Sequence, residues 1–192
     1  MAILSGSKTR SGYMLMEASM LVERFERQAE DQSSRSFHWL GRECYGSALH
    51  VAALNGDFHE VQKILQETPD QINERFTYFS NWGETKQEGS GEAIHLAASR
   101  QEEKVLRLLV SLGAKISSKV TRGGENNYDV FHAAVYAEGK GGSISMVSYL
   151  LEMKAGPREL NANGFSALHL AHQIGSVDLI KLLYNAIPNW PE

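Results

Sequence analysis

The chain has 192 residues, 42% apolar and 22% charged, a globular balance that excludes a disordered chain. Nineteen Lys and Arg against 23 Asp and Glu leave a formal charge of −4, with no cationic excess of the kind nucleic-acid binding needs. One cysteine excludes a disulfide scaffold and suits a reducing, cytoplasmic setting, and no apolar run approaches the ~20 residues that span a bilayer.

Residues 1–12 contain Ser, Gly and Lys, lack the apolar core of a secretory signal, and are expected to fray. Met14, Leu15, Ala18, Leu21, Val22, Phe25 and Ala29 recur at helical spacing, with Glu23, Arg24, Glu26, Arg27 and Glu30 on the opposite face. This predicts an amphipathic N-terminal capping helix. Residues 13–41 are therefore read as that helix and a linker, with Gln32–Arg35 polar. Phe37, Trp39 and Leu40 are expected to dock on the capping helix or on the first helical unit after residue 42.

From residue 42 the chain repeats itself. One phrase occurs as Ala48-Leu49-His50-Val51-Ala52-Ala53, Ala93-Ile94-His95-Leu96-Ala97-Ala98, Val130-Phe131-His132-Ala133-Ala134-Val135 and Ala167-Leu168-His169-Leu170-Ala171-His172. The four histidines stand 45, 37 and 37 residues apart. A second phrase comes after each: Val61–Leu65, Val105–Leu109, Met146–Leu151 and Leu179–Leu183. Leu49, Ala52 and Ala53, like Leu179, Leu182 and Leu183, fall at i, i+3 and i+4, one apolar stripe of a short helix. Asn55-Gly56 and Gly175-Ser176 break the chain between the two phrases. Each unit thus reads as a helix–turn–helix pair, too small to bury its apolar face without stacking on neighbours.

These motifs resemble the ankyrin repeat, with its Thr-Pro-Leu-His-x-Ala signature on a period of about 33 residues. Asn163-Gly164-Phe165-Ser166-Ala167-Leu168-His169-Leu170-Ala171 is the closest match, and Gly113-Ala114 ends the second unit as in the family. The family Pro is absent from all four units, and Gln101 stands in place of the inter-helix Gly of unit two. The resemblance implies an all-α class: a solenoid of stacked helix–turn–helix units with β-hairpin-like fingers, in four repeats over residues 42–187, and a tail at 188–192. Extra residues fall at 74–90 and 117–129, where the family has fingers, and at 137–143, between the helices of unit three.

The repeated histidines, His50, His95, His132 and His169, sit one per unit, too far apart to converge on one metal ion at ~2 Å. The resemblance implies a structural role, each ring bonded to the backbone of the adjacent finger. No metal and no small-molecule cofactor are expected. Gly139-Lys140-Gly141-Gly142 lacks the leading Gly and trailing Ser or Thr of a phosphate loop. Cys44, with His38 and His50 nearby in sequence, is the one candidate for a Cys–His enzyme or modifier, which requires spatial adjacency and an orienting third group.

The long finger packs Phe76, Tyr78, Phe79 and Trp82 into seven residues. Such a cluster serves as an interface hot spot or as a mini-core holding the insertion on the stack. By the resemblance, the concave face that binds protein partners holds Leu54 and Asn55, Ser99 and Arg100, Tyr136 and Ala137, and Gln173 and Ile174, with Gly46, Gly91, Tyr128 and Phe165 from the fingers. The expected function is non-enzymatic protein–protein interaction with another protein as partner, without nucleic acid or membrane insertion. Ankyrin repeats also occur in effectors that bacteria deliver into host cells, and the composition fits that variant equally.

Overall fold

The computed structural model describes residues 35–82, 85–139 and 144–186, with the side chains of 81, 82, 85, 86, 126 and 138 outside that description. The expected frayed start at 1–12, the capping helix over 14–29, the Lys140-Gly141-Gly142 loop and the tail at 188–192 lie outside the described residues.

Eight α-helices are found among the described residues, in four pairs: α1 (Ala48–Asn55) with α2 (Phe58–Glu67), α3 (Ala93–Ser99) with α4 (Glu103–Ser111), α5 (Val130–Glu138) with α6 (Ile144–Glu152), and α7 (Ala167–Ile174) with α8 (Val177–Ala186). The first helix of each pair carries the repeated His phrase, and these inner helices pack in series, α1 on α3, α3 on α5, α5 on α7. Small side chains make this close approach possible: Ala53, Ala97, Ala98, Ala134 and Ala171 are fully buried. Leu106, Leu109, Met146, Leu150 and Leu183 from the outer helices complete one continuous apolar layer. The inter-helix turns need a left-handed residue. Gly56 and Gly175 supply it at φ 72° and 79°, and Gln101 adopts the same conformation at φ 61°. Its side chain offsets part of that strain by donating to the Ala134 carbonyl at 3.1 Å.

The class is not all-α. Three hairpins form one six-stranded antiparallel sheet in sequence order: β1 (Arg35–Trp39), β2 (Arg42–Gly46), β3 (Arg75–Trp82), β4 (Thr85–Glu92), β5 (Lys119–Arg122) and β6 (Glu125–Asp129). The expected fingers are the second and third hairpins. They join edge to edge through Gly89↔Arg122 and Ser90↔Thr121, while Cys44↔Tyr78 and Tyr45↔Thr77 join the first hairpin to the second. The first hairpin occupies the place of the expected linker and docking residues, and a boundary at 41/42 cuts through its turn. Trp39↔Arg42 closes a two-residue turn at Leu40-Gly41, with φ 51° and 74°. Two positive φ values define the turn that matches strand twist, ordinarily filled by Asn-Gly. A leucine there costs about 1–2 kcal/mol, and its exposure of 51% shows no interior packing to compensate.

Candidate functional site

Three of the four repeated histidines, His50, His95 and His132, join their inner helix to the segment that follows the unit, whereas His169 is exposed and bonds its own N-cap, Ser166. Each occupies the third position of its helix. Nδ1 of His50, His95 and His169 accepts the backbone N–H of Ser47 (2.9 Å), Glu92 (3.1 Å) and Ser166 (3.1 Å). Nε2 of His50, His95 and His132 donates to the carbonyls of Glu74 (3.0 Å), Ser118 (3.1 Å) and Phe165 (3.1 Å). A carbonyl only accepts, so in His50 and His95, whose Nδ1 accepts a backbone N–H, the proton sits on Nε2. Burial disfavours the charged ring and holds His50 and His95 down to about 4, against the smaller upward pull of those carbonyls. Unit three differs: Asp129 Oδ1 lies 2.7 Å from His132 Nδ1 and also accepts the His132 backbone N–H at 2.9 Å. Burial works against the Asp129 carboxylate, but these contacts with His132 outweigh it and leave its pKa lowered. Among the described residues, no three His, Cys, Asp or Glu side chains cluster as metal ligands.

Cys44 lies in β2, fully buried. Its Sγ donates to the Arg42 carbonyl at 3.6 Å. Burial pushes the thiol up to about 11, despite smaller opposing effects from the nearby backbone and Arg42. Cys44 pairs with Phe37, so His38, the next residue of β1, faces the other side of the sheet. His50 is engaged with Ser47 and Glu74. The structure brings no imidazole onto the thiol.

The sheet packs on the first two inner helices through a second set of buried side chains. Strand alternation sends Phe76, Tyr78 and Ser80 inward. With Phe37, Trp39, Leu54, Leu96 and Val120, the two aromatic residues form a second core. Its rings meet edge to face: Trp39 and Phe76 at 5.2 Å and 89°, Trp39 and Tyr78 at 5.8 Å, Phe37 and Phe76 at 5.6 Å. Trp39 Nε1 donates to Ser99 Oγ at 2.7 Å, and the Tyr78 hydroxyl to the Thr121 carbonyl at 3.0 Å. Glycine makes room for this packing: a Cβ on Gly89 would stand 2.3 Å from the Tyr78 ring, and one on Gly91 2.9 Å from Phe76.

Beside this core, at Ser99 and Tyr128, which both contact Trp39, lies a groove of about 330 Å³. Its floor is Ser99, Ala133, Tyr136 and Ala137 of the inner helices. Arg122, Asn127 and Tyr128 of the third hairpin form one wall, Asn161 and Asn163 another, and Leu40 and Arg42 the rim. Asn161 stiffens its wall, its Oδ1 accepting the backbone N–H groups of Asn163 (2.9 Å) and Phe165 (3.0 Å). The Arg42 guanidinium lies 5.5 Å from the centre of the Tyr78 ring.

The residues singled out from sequence therefore separate into groups. Phe76, Tyr78 and Leu54 are buried in the aromatic core, and Gly46 and Gly91 abut the Phe76 side chain there. Ser99, Tyr128 and Tyr136 line the groove. Asn55, Arg100, Phe165 and Gln173 are exposed. Trp82 ends β3, with its side chain outside the described residues. Sequence reasoning missed Leu40, Arg42, Arg122, Asn127, Asn161 and Asn163 as groove residues. Leu40 and Arg42 belong to a hairpin that repeat alignment does not contain, and its signal was the alternation Phe37, Trp39 set against Cys44.

A family model described as ankyrin repeats in three copies matches residues 94–189. The chain is also 27% identical over 160 residues to the palmitoyltransferase AKR1 of Lachancea kluyveri, an overlap covering 83% of this chain. It spans only 19% of that protein's length. The matched repeats coincide with helices α3 to α8 and their inner-helix histidines, and the chain belongs to the ankyrin-repeat family.

Proposed function

We propose that the protein is a non-enzymatic interaction module that presents its groove and the adjoining exposed residues to a protein partner. The observation that carries this reading is the groove lined jointly by the inner helices and the first and third hairpins, with Tyr136 41% exposed in it. Preorganisation favours it: helices, sheet and aromatic core hold the surface in place, so little order is lost on binding. Arg100, Tyr136, Phe165 and Gln173 are the contact residues of the proposal, with Asn55 at its periphery. Residues 42–187 act in it as four repeats, in the cytoplasm of the producing cell or, for a delivered effector, of a host. The alternative of a Cys–His enzyme loses ground to the buried, alkaline-shifted thiol of Cys44. The palmitoyltransferase activity in the name of the AKR1 protein belongs to a far longer chain, and the overlap with it gives no ground for assigning that activity here.

The test is affinity capture from the native cell with the wild type and the Arg100→Ala/Tyr136→Ala/Phe165→Ala variant, both checked for fold by circular dichroism. The expected outcome is loss of a captured protein from the variant. An unchanged set of captured proteins would defeat the proposed surface.

A further inference from the structure

The groove departs from the rest of the molecule in charge. The chain as a whole is acidic, yet among the described residues two arginines, Arg42 and Arg122, line the groove and no Asp or Glu does. Both arginines lie close enough to the Tyr78 phenol to favour its ionised form, although burial outweighs them and raises its pKa. The ladder Cys44↔Tyr78↔Gly89↔Arg122, with Arg42 two residues before Cys44, puts both arginines on the face of the sheet that carries Tyr78, and both line the groove. The Arg42 guanidinium carbon lies over the Tyr78 ring, 5.5 Å from its centre. A guanidinium carries five donors, so an arginine already engaged elsewhere keeps donors for a further acceptor.

The other feature of the groove is apolar. Leu40 is held at φ 51°, a strained conformation for a leucine, at the tip of a tight turn. It belongs to neither core and instead lines the groove, as does the exposed ring of Tyr136. A glycine or asparagine would serve the turn better, so the turn alone does not account for this residue. The volume, about 330 Å³, lies at the low end for ligand sites and admits a few side chains of a linear segment.

We infer that the groove takes an extended peptide segment of its partner in which a carboxylate side chain, bound between Arg42 and Arg122, stands beside an apolar side chain lodged between Leu40 and Tyr136. This rests on the proposed interaction function and specifies the chemistry of the partner. Guanidinium–carboxylate pairing supplies direction, and the apolar contact supplies burial.

The experiment is an array of synthetic eight-residue peptides containing matched sets: Glu beside Leu or Phe, the same peptides with Gln for Glu, with Lys for Glu, and with phosphoserine for Glu. The wild-type chain is expected to bind members of the Glu set at least tenfold more tightly than their Gln and Lys counterparts, with binding that weakens as salt rises. The Arg42→Gln/Arg122→Gln variant is expected to lose that ratio, and Arg42→Lys/Arg122→Lys to keep part of it, which separates lost charge from lost fold. Leu40→Gly relieves the turn, so it is expected to be as stable as the wild type or more so and yet to bind the Glu set several-fold more weakly. Equal binding of Glu and Gln peptides, a preference for phosphoserine over Glu, or a Glu preference that survives the double Gln variant would overturn the inference. Failure of the interaction reading looks different: no peptide set bound, or binding of every set indifferent to Tyr136→Ala.

Discussion

Replacing His50 by Gln should flatten the acid sensitivity of the fold. His50 is fully buried, with Nδ1 on Ser47, Nε2 on the Glu74 carbonyl and its ring 5.5 Å from Phe76. The contacts that set its proton affinity are burial and that carbonyl, with no charged side chain among them. Its pKa is held down to about 4 in the folded chain, against an ordinary value of about 6.5 when unfolded. Between these values the unfolded chain binds a proton that the folded chain refuses. Stability is therefore full above about pH 6.5 and falls as pH drops towards 4. The contribution lost is ~2 kcal/mol by pH 5 and ~3 kcal/mol by pH 4. His95, also held down to about 4, adds a similar loss, while Glu92, its pKa raised by burial, works in the opposite direction on acidification. Urea unfolding followed by circular dichroism at pH 7 and pH 5 measures the difference directly. The His50→Gln variant is expected to be less stable at pH 7, because two buried hydrogen bonds are disturbed, yet to lose ~2 kcal/mol less than the wild type between the two pH values. Parallel stability curves for the two proteins would refute the reasoning.

Two further outcomes test the aromatic core. Gly89→Ala places a methyl group 2.3 Å from the Tyr78 ring and 2.6 Å from the Thr121 carbonyl, and the backbone atom has little room to move. It should cost ~1–3 kcal/mol, read as a fall in the urea midpoint, whereas a neutral effect would mean that the core is looser than its geometry. Cys44 should resist a thiol-reactive disulfide reagent at pH 7–8 in the native protein and react fully in denaturant, since its thiol is buried and pushed up to about 11. Rapid native labelling would contradict that burial.

The helical half of this molecule was legible in its sequence because repetition multiplies a weak signal. A single His–x–Ala phrase carries little information, but four of them, each with a Leu-rich phrase after it, specify inner and outer helices together. The sheet was legible only in part. The second and third hairpins were visible as excess length at 74–90 and 117–129, without any indication of how they pair. The first hairpin was hidden by Leu40, whose side chain disguises a turn that Asn or Gly would announce. Phe76 and Tyr78 illustrate the same limit from another side. Aromatic residues suit a mini-core and a binding surface equally, and the choice was made by Gly89 and Gly91 across the ladder, which leave a ring-sized space. Family geometry puts Tyr128 and Tyr136 on the binding side, but of the arginines in the groove Arg42 comes from the first hairpin and Arg122 from the extra length of the third.

The aromatic core has a consequence for how such a gene changes over time. In a simple stack each unit touches only its neighbours, so units are gained or lost by recombination with local effects. Trp39 breaks that independence. It packs against residues of the second hairpin, hydrogen-bonds to Ser99 of the next helix pair and meets Tyr128 of the third hairpin at 6.5 Å. Everything from β1 to β6 is thereby fastened into one piece, and duplication or deletion of a unit within it would tear the rings apart. After α5 no such fastening exists among the described residues. The molecule is monolithic up to its third repeat and modular beyond, and its lineage is free to lengthen or shorten at that second part alone.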